Sequence, residues 1–298
     1  MQSDPPHSEP PAAPEPGAAA PPQPPANPPA KQEKKTGKEG LWDTLRFILI
    51  VFGAALILRT FIIAPFSIPS GSMLPRLMIG DYLFVAKWPY GYSRYSMPFG
   101  IGGFDGRILG ALPERGDVVV FRYPGPGNED YVKRVIGLPG DTVQVRSGQL
   151  ILNGQPVPRH RIADYLMLVS ANSPCRAAGG GAGNEIVDAE GDRHCVYPRY
   201  REILPGGASY DVLDQFPDGP GDNTPVFQVP QGQVFVMGDN RDDSLDSRFT
   251  VEEQGVGLLP IENILGRAMI NFFSTDGSAE WIQPWTWFSA ARWDRIGS

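Results

Sequence analysis

The chain has 298 residues, enough for one large domain or two small ones, and its net charge of -7 is spread over interspersed acids and bases. That balance lacks the basic footprint of a nucleic-acid binder and gives no electrostatic reason to expect nucleic acid as a partner. Twelve of the 32 prolines fall within the first thirty residues, among alanines, with almost no large apolar side chain. Such a stretch cannot bury enough surface to offset the entropy of ordering, so residues 1–40 are predicted to be a disordered tail, partly polyproline II.

Charged residues from Lys31 to Glu39 give way to an uninterrupted apolar run from Phe47 to Leu58. That run is short for a bilayer and also suits a buried core helix. It extends to Ile63 if Arg59 snorkels to the headgroups, giving about 25 Å of helix, with Trp42 placed as an interfacial aromatic. A cleaved signal peptide is the other alternative. The run begins too far from the N-terminus for one and is not followed by a small-x-small site. One transmembrane anchor over residues 41–63 is therefore expected. Lys31, Lys34, Lys35, Lys38 and Arg46 precede the apolar run that begins at Phe47, whereas Arg76 is the first basic residue after Arg59. The positive-inside rule then makes the tail cytoplasmic and residues 64–298 extracytoplasmic, with the lipid bilayer as a partner.

From Asp81 onward short strands alternate with turn signals. Asp117–Arg122, Tyr131–Ile136, Thr142–Arg146, Gln149–Leu152, Gln233–Met237 and Leu265–Phe272 read as strands, and Ser147-Gly148 and Asn153-Gly154 as tight hairpin turns. The fold class is mainly β, an antiparallel-sheet domain, with residues 159–223 as an irregular insertion. That insertion holds both cysteines, Cys175 and Cys195. With His160 and His194 nearby a zinc site is conceivable, but the spacing fits no common zinc pattern. An oxidising compartment favours a disulfide over free thiols. Trp281, Trp285, Trp287 and Trp293 crowd the C-terminus, as a packed edge or a belt at the membrane surface.

Three segments carry chemistry. Ile68-Pro-Ser-Gly-Ser-Met73 follows the anchor, and its glycine lets the backbone turn sharply and approach a ligand. In Tyr131–Asp141, alternation puts Tyr131, Lys133 and Val135 on one strand face. A lysine there snorkels out at an edge or, if buried, loses proton affinity and can act as a base. Gly238–Arg248 is dense in short polar and charged side chains. It would suit a calcium loop, except that Arg241 and Arg248 neutralise its acids; a self-paired network that stiffens the loop fits better. His7 lies in the tail, and His160 and His194 in the insertion. A lysine base for a serine nucleophile is therefore the economical reading.

An anchor running into Ile68–Met73, then Gly80-Asp81, Tyr131–Asp141 and Gly238–Arg248, resembles the bacterial type I signal peptidase family. The likeness covers roughly Leu41 to Pro156 and Val226 to Phe272. It implies a serine endopeptidase that removes signal peptides from exported preproteins after small residues at -1 and -3. Ser72 would be the nucleophile, Lys133 the general base, Ser70 an oxyanion donor beside the Ser72 amide, and Ser244 the residue orienting Lys133. Phe66, Ile68, Pro69, Leu77, Tyr131 and Val132 would line the substrate groove, between strands around Phe66–Pro69 and Asp130–Lys133. Asp239, Arg241, Asp246 and Arg248 would form a structural ion-pair network. No metal or cofactor is implied, and a monomer is expected. Two competitors share parts of the pattern: a peptidase maturing a single pilin- or conjugation-type substrate, and an inactive tethered β domain that binds export substrates.

Overall fold

A computed structural model describes residues 37–96, 105–178, 183–280 and 282–298, with side chains from Gly40 onward. The proline-rich tail before Gly37 lies outside the described residues, as do most of the glycine-rich stretch and Trp281. Contacts divide the chain into a unit ending at Ile48 and a second from Leu49 to Ser298. Helix α1 (Gly37–Ile57) continues into a π turn, Leu58–Ile62. The stretch Gly40–Ile62 is long and apolar enough to cross a membrane, and only 6% of its most apolar window is buried. The core helix of a soluble protein would cover these side chains. Phe47, Leu49 and Phe52 instead face outward.

The remainder is built of antiparallel ladders. In chain order the principal strands are β1 (Ile63–Ser67), β2 (Asp81–Ala86), β3 (Val118–Arg122) and β4 (Asp130–Gly137). A hairpin follows, β5 (Thr142–Arg146) and β6 (Gln149–Leu152). Next come β7 (Arg159–Leu168), β8 (Glu185–Val187), β9 (Arg193–Ile203) and β10 (Ser209–Leu213). The last are β11 (Gln233–Met237) and β12 (Ile264–Ser274). The two short turns form as read: Ser147-Gly148 and Asn153-Gly154 each take positive φ at both residues, the backbone a two-residue hairpin loop needs.

The large sheet runs β1-β2-β12-β3-β4-β11, with Leu259–Pro260 at its far edge. Its β-branched strands are buried on both faces. Val119, Phe121, Val135 and Val236 belong to one core, and Val118, Val120, Val132, Leu83 and Ile68 to another. The expectation of an irregular insertion at 159–223 needs correction. β7, β8, β9 and β10 make a four-stranded antiparallel sheet within it. Its strands carry Arg161, Arg199 and Arg201 at positions that alternation would leave apolar. Paired outward, these arginines hide the period-two signal. Cys175 and Cys195 are joined in a disulfide, with their Cα atoms 5.1 Å apart. Trp285 and Trp293 are mostly exposed, so a packed edge does not account for them.

Candidate active site

Ser72 sits in the turn that follows β1. Hydrogen bonds from Ile68 N to Asp81 O (2.8 Å) and from Leu77 N to Met73 O (2.9 Å) shape that turn. The start of the third segment clamps it: Asn240 N donates to Ser72 O (3.0 Å), and Asn240 Nδ2 donates to Gly71 O (3.1 Å). Gly238 makes this approach possible. A Cβ there would lie 2.3 Å from Ser244 Oγ and 2.6 Å from Ser72 O. Among the described residues the Ser72 amide makes no hydrogen bond, and Ser70 Oγ lies 3.4 Å from Ser72 Oγ.

Lys133 comes from β4, in register with Val119 of β3. Its Nζ donates to Ser72 Oγ at 2.6 Å across a sequence separation of 61 residues. Lys133 is 4% exposed and Ser72 6%. Burial strips water from the ammonium and pushes its pKa down to about 8, although the Asp246 and Asp239 carboxylates oppose that fall. A hydroxyl held against an amine that is neutral for part of the physiological range can lose its proton to that amine.

Asp239, Arg241, Asp246 and Arg248 are all ion-paired, two of them to residues outside the loop. Arg248 forks onto Asp246 (Nε to Oδ1, 2.8 Å) within the loop. Asp239, however, takes Arg134 of β4 at 2.7 and 2.5 Å. Arg241 forks onto Glu202 of β9 at 2.9 and 2.5 Å, with the Tyr210 hydroxyl donating to the same carboxylate. The loop is thus self-paired only through Arg248 and Asp246; Asp239 and Arg241 bolt it to the sheet on one side and the insertion on the other. Arg134 had a signal in the sequence, since a charge inside an apolar strand needs a partner. Glu202 had none. Burial alone would raise the Asp246 carboxyl, but Arg248, the Gly238 amide and the Ser244 hydroxyl together hold it below the ordinary carboxylate range. That last contact corrects the expectation for Ser244. Its Oγ donates to Asp246 Oδ2 at 2.8 Å, and no hydrogen bond joins it to Lys133 among the described residues.

A cavity of about 680 Å³ opens over the serine and lysine. Phe66, Pro69, Ser70, Tyr131, Val132 and Ser244 line it. Ile68 and Leu77 do not; they lie buried in the core with Val132, beneath the groove. β1 is an edge strand, and β11 pairs with β4 only from Arg134 onward, so one side of Asp130–Lys133 carries no strand either. Asp242 of the third segment joins Asp214 and Asp222, their carboxylate oxygens within 4.8 Å of one another. Burial raises the Asp222 and Asp242 carboxyls, and neighbouring carboxylates add to it, while Arg159 pairs with Asp214.

The sequence model described as "Signal peptidase, peptidase S26" matches residues 41–273. A signal peptidase I of Rickettsia canadensis is 35% identical over 250 residues, 81% of this chain and 82% of that protein. One from Rickettsia prowazekii is 36% identical over 229 residues, 74% and 76% of the two chains. A crystal structure of a signal peptidase I from Enterococcus faecalis aligns at 24% identity with a TM-score of 0.27, over 53% of this chain and 98% of that one.

Proposed function

Because the chain belongs to the signal peptidase, peptidase S26 family, we propose that it is a membrane-anchored serine endopeptidase that removes N-terminal signal peptides from exported preproteins, with Ser72 as nucleophile and Lys133 as general base. The observation that carries this reading is the 2.6 Å contact between Lys133 Nζ and Ser72 Oγ, with the lysine pKa pushed down to about 8.

Neutral Lys133 takes the Ser72 proton as Oγ attacks the scissile carbonyl carbon. The oxyanion is met by the unpartnered Ser72 amide and the Ser70 hydroxyl. Collapse breaks the C–N bond, Lys133 returns its proton to the leaving amine, and an acyl ester stays on Ser72. Water then attacks the ester with Lys133 again as base, releasing the signal peptide carboxylate and restoring the serine. Ser244 serves at one remove: it fixes Asp246, whose charge tempers the fall in the lysine pKa. The substrate lies extended between β1 and the open side of β4, with Phe66 and Val132 leaving room for small side chains at -1 and -3. Gly40–Ile62 crosses the plasma membrane with its N-terminus in the cytoplasm, by the lysine and arginine asymmetry. One chain holds both dyad residues, so a monomer suffices.

Detergent-solubilised protein should cleave a model preprotein at its signal junction, and neither Ser72→Ala nor Lys133→Met should do so. Cleavage by both variants at the wild-type rate would refute the assignment.

A further inference from the structure

A second cavity, of about 810 Å³, lies apart from the serine and lysine. Arg76, Arg134, Arg199, Arg201 and Arg267 line it, against two acids in its wall, Asp117 and Asp211. Arg134 is spent on Asp239, and Arg201 on Asp211. Arg267 meets Asp117 only at 3.4 Å, and Arg199 meets Asp211 only at 3.5 Å. Among the described residues the Arg76 guanidinium makes no hydrogen bond or ion pair. Burial and the charges of Arg134 and Arg295 lower its proton affinity, and the Asp239 carboxylate offsets only part of that fall. Even with Asp239 included, five cations face three carboxylates, so the cavity carries positive charge in excess.

Its place in the sheet identifies what supplies the anion. Arg267 pairs with Ala86, and Ala86 with Ile63, the first residue after the apolar helix. Two strand spacings are about 10 Å, so the Arg267 backbone lies within that distance of the point where the chain leaves the bilayer. Headgroup layers are roughly 5–7 Å deep. Met269 lines the cavity, and Ile270 and Phe272 continue from it as exposed apolar side chains, with Phe272 stacked on Phe84 at 4.3 Å. A cationic cavity with an apolar lip fits an amphiphile better than a free ion. Guanidinium groups also match the oxygens of a phosphate.

We propose that this cavity binds the headgroup phosphate of an anionic phospholipid, with Arg76 and Arg267 as its principal contacts. Its placement rests on the reading that Gly40–Ile62 spans the bilayer. Failure of that reading would be visible separately, as full-length protein that stays in solution without detergent.

The test titrates the full-length protein in a neutral detergent with short-chain phosphatidylglycerol, short-chain phosphatidylcholine or inorganic phosphate, followed by calorimetry. Phosphatidylglycerol should saturate one site and bind more tightly than the other two. Arg76→Ala and Arg267→Gln should each weaken it on the order of tenfold, as expected for one charge-assisted contact, with preprotein cleavage in detergent unchanged. Thermal melting checks that each variant is folded, and either one alone suffices. Wild-type affinity in a folded variant would overturn the proposal. Inorganic phosphate binding as tightly as phosphatidylglycerol would overturn the lipid as the source.

Discussion

Replacing Lys133 with Met should stabilise the protein at neutral pH while abolishing cleavage, and the gain should disappear in alkali. A fully buried lysine whose pKa falls from 10.5 to about 8 binds fewer protons folded than unfolded between those two values. Its burial therefore opposes folding in full below about 8, to a lessening degree as pH rises through the window, and not at all above 10.5. The fall corresponds to about 3 kcal/mol. Met keeps the bulk of the side chain but loses the hydrogen bond to Ser72, a loss of about 1 kcal/mol. The net gain at neutral pH is then about 2 kcal/mol, turning into a small loss above 10.5. Denaturant melts of both proteins in detergent, repeated across the window, give the difference directly. In wild type, kcat/KM should rise with pH through about 8, and at pH 7 it should be about a tenth of its plateau. A stability difference independent of pH, or kcat/KM flat through that value, would refute the buried-base argument.

The two serines should separate kinetically. Ser72→Ala should form no acyl-enzyme, while Ser70→Ala should form one slowly, with kcat down about 10²–10³ and KM little changed; rapid-quench analysis distinguishes them. Gly238→Ala should lower kcat sharply even if the protein folds, because the added carbon would collide with Ser244 Oγ and with Ser72 O; a wild-type kcat would contradict the close approach. Glu202→Gln leaves Arg241 buried without its counter-charge, and should cost about 3–5 kcal/mol in a denaturant melt. Thiol titration of denatured, unreduced protein should find no free cysteine, and Cys175→Ser should lose about 3 kcal/mol, the chain-entropy value for a loop of this length.

Much of the architecture was legible from local rules. An apolar run after a charged segment marks a helix that no core covers, and period-two alternation with Ser147-Gly148 and Asn153-Gly154 marks the central hairpin. The serine turn, the lysine strand and the polar loop each stood out by residue type. What those rules cannot report is which distant charge answers which. Lys133 meets Ser72 across 61 residues, Arg134 meets Asp239 across 105, and Arg241 meets Glu202 across 39. Alternation tells which face of a strand a side chain takes, but the partner on that face depends on how sheets are stacked. For the same reason Ser244 seemed free to reach the lysine until the fold set Asp246 beside it, and Ile68 and Leu77 passed for groove residues until packing against Leu83, Val118 and Val132 buried them. The insertion stayed opaque because its strands use arginine–carboxylate pairs where apolar side chains would have shown the period. Residue chemistry thus identified the participants, and only the folded chain, by bringing remote segments within a few ångströms, decided their partners and their charge.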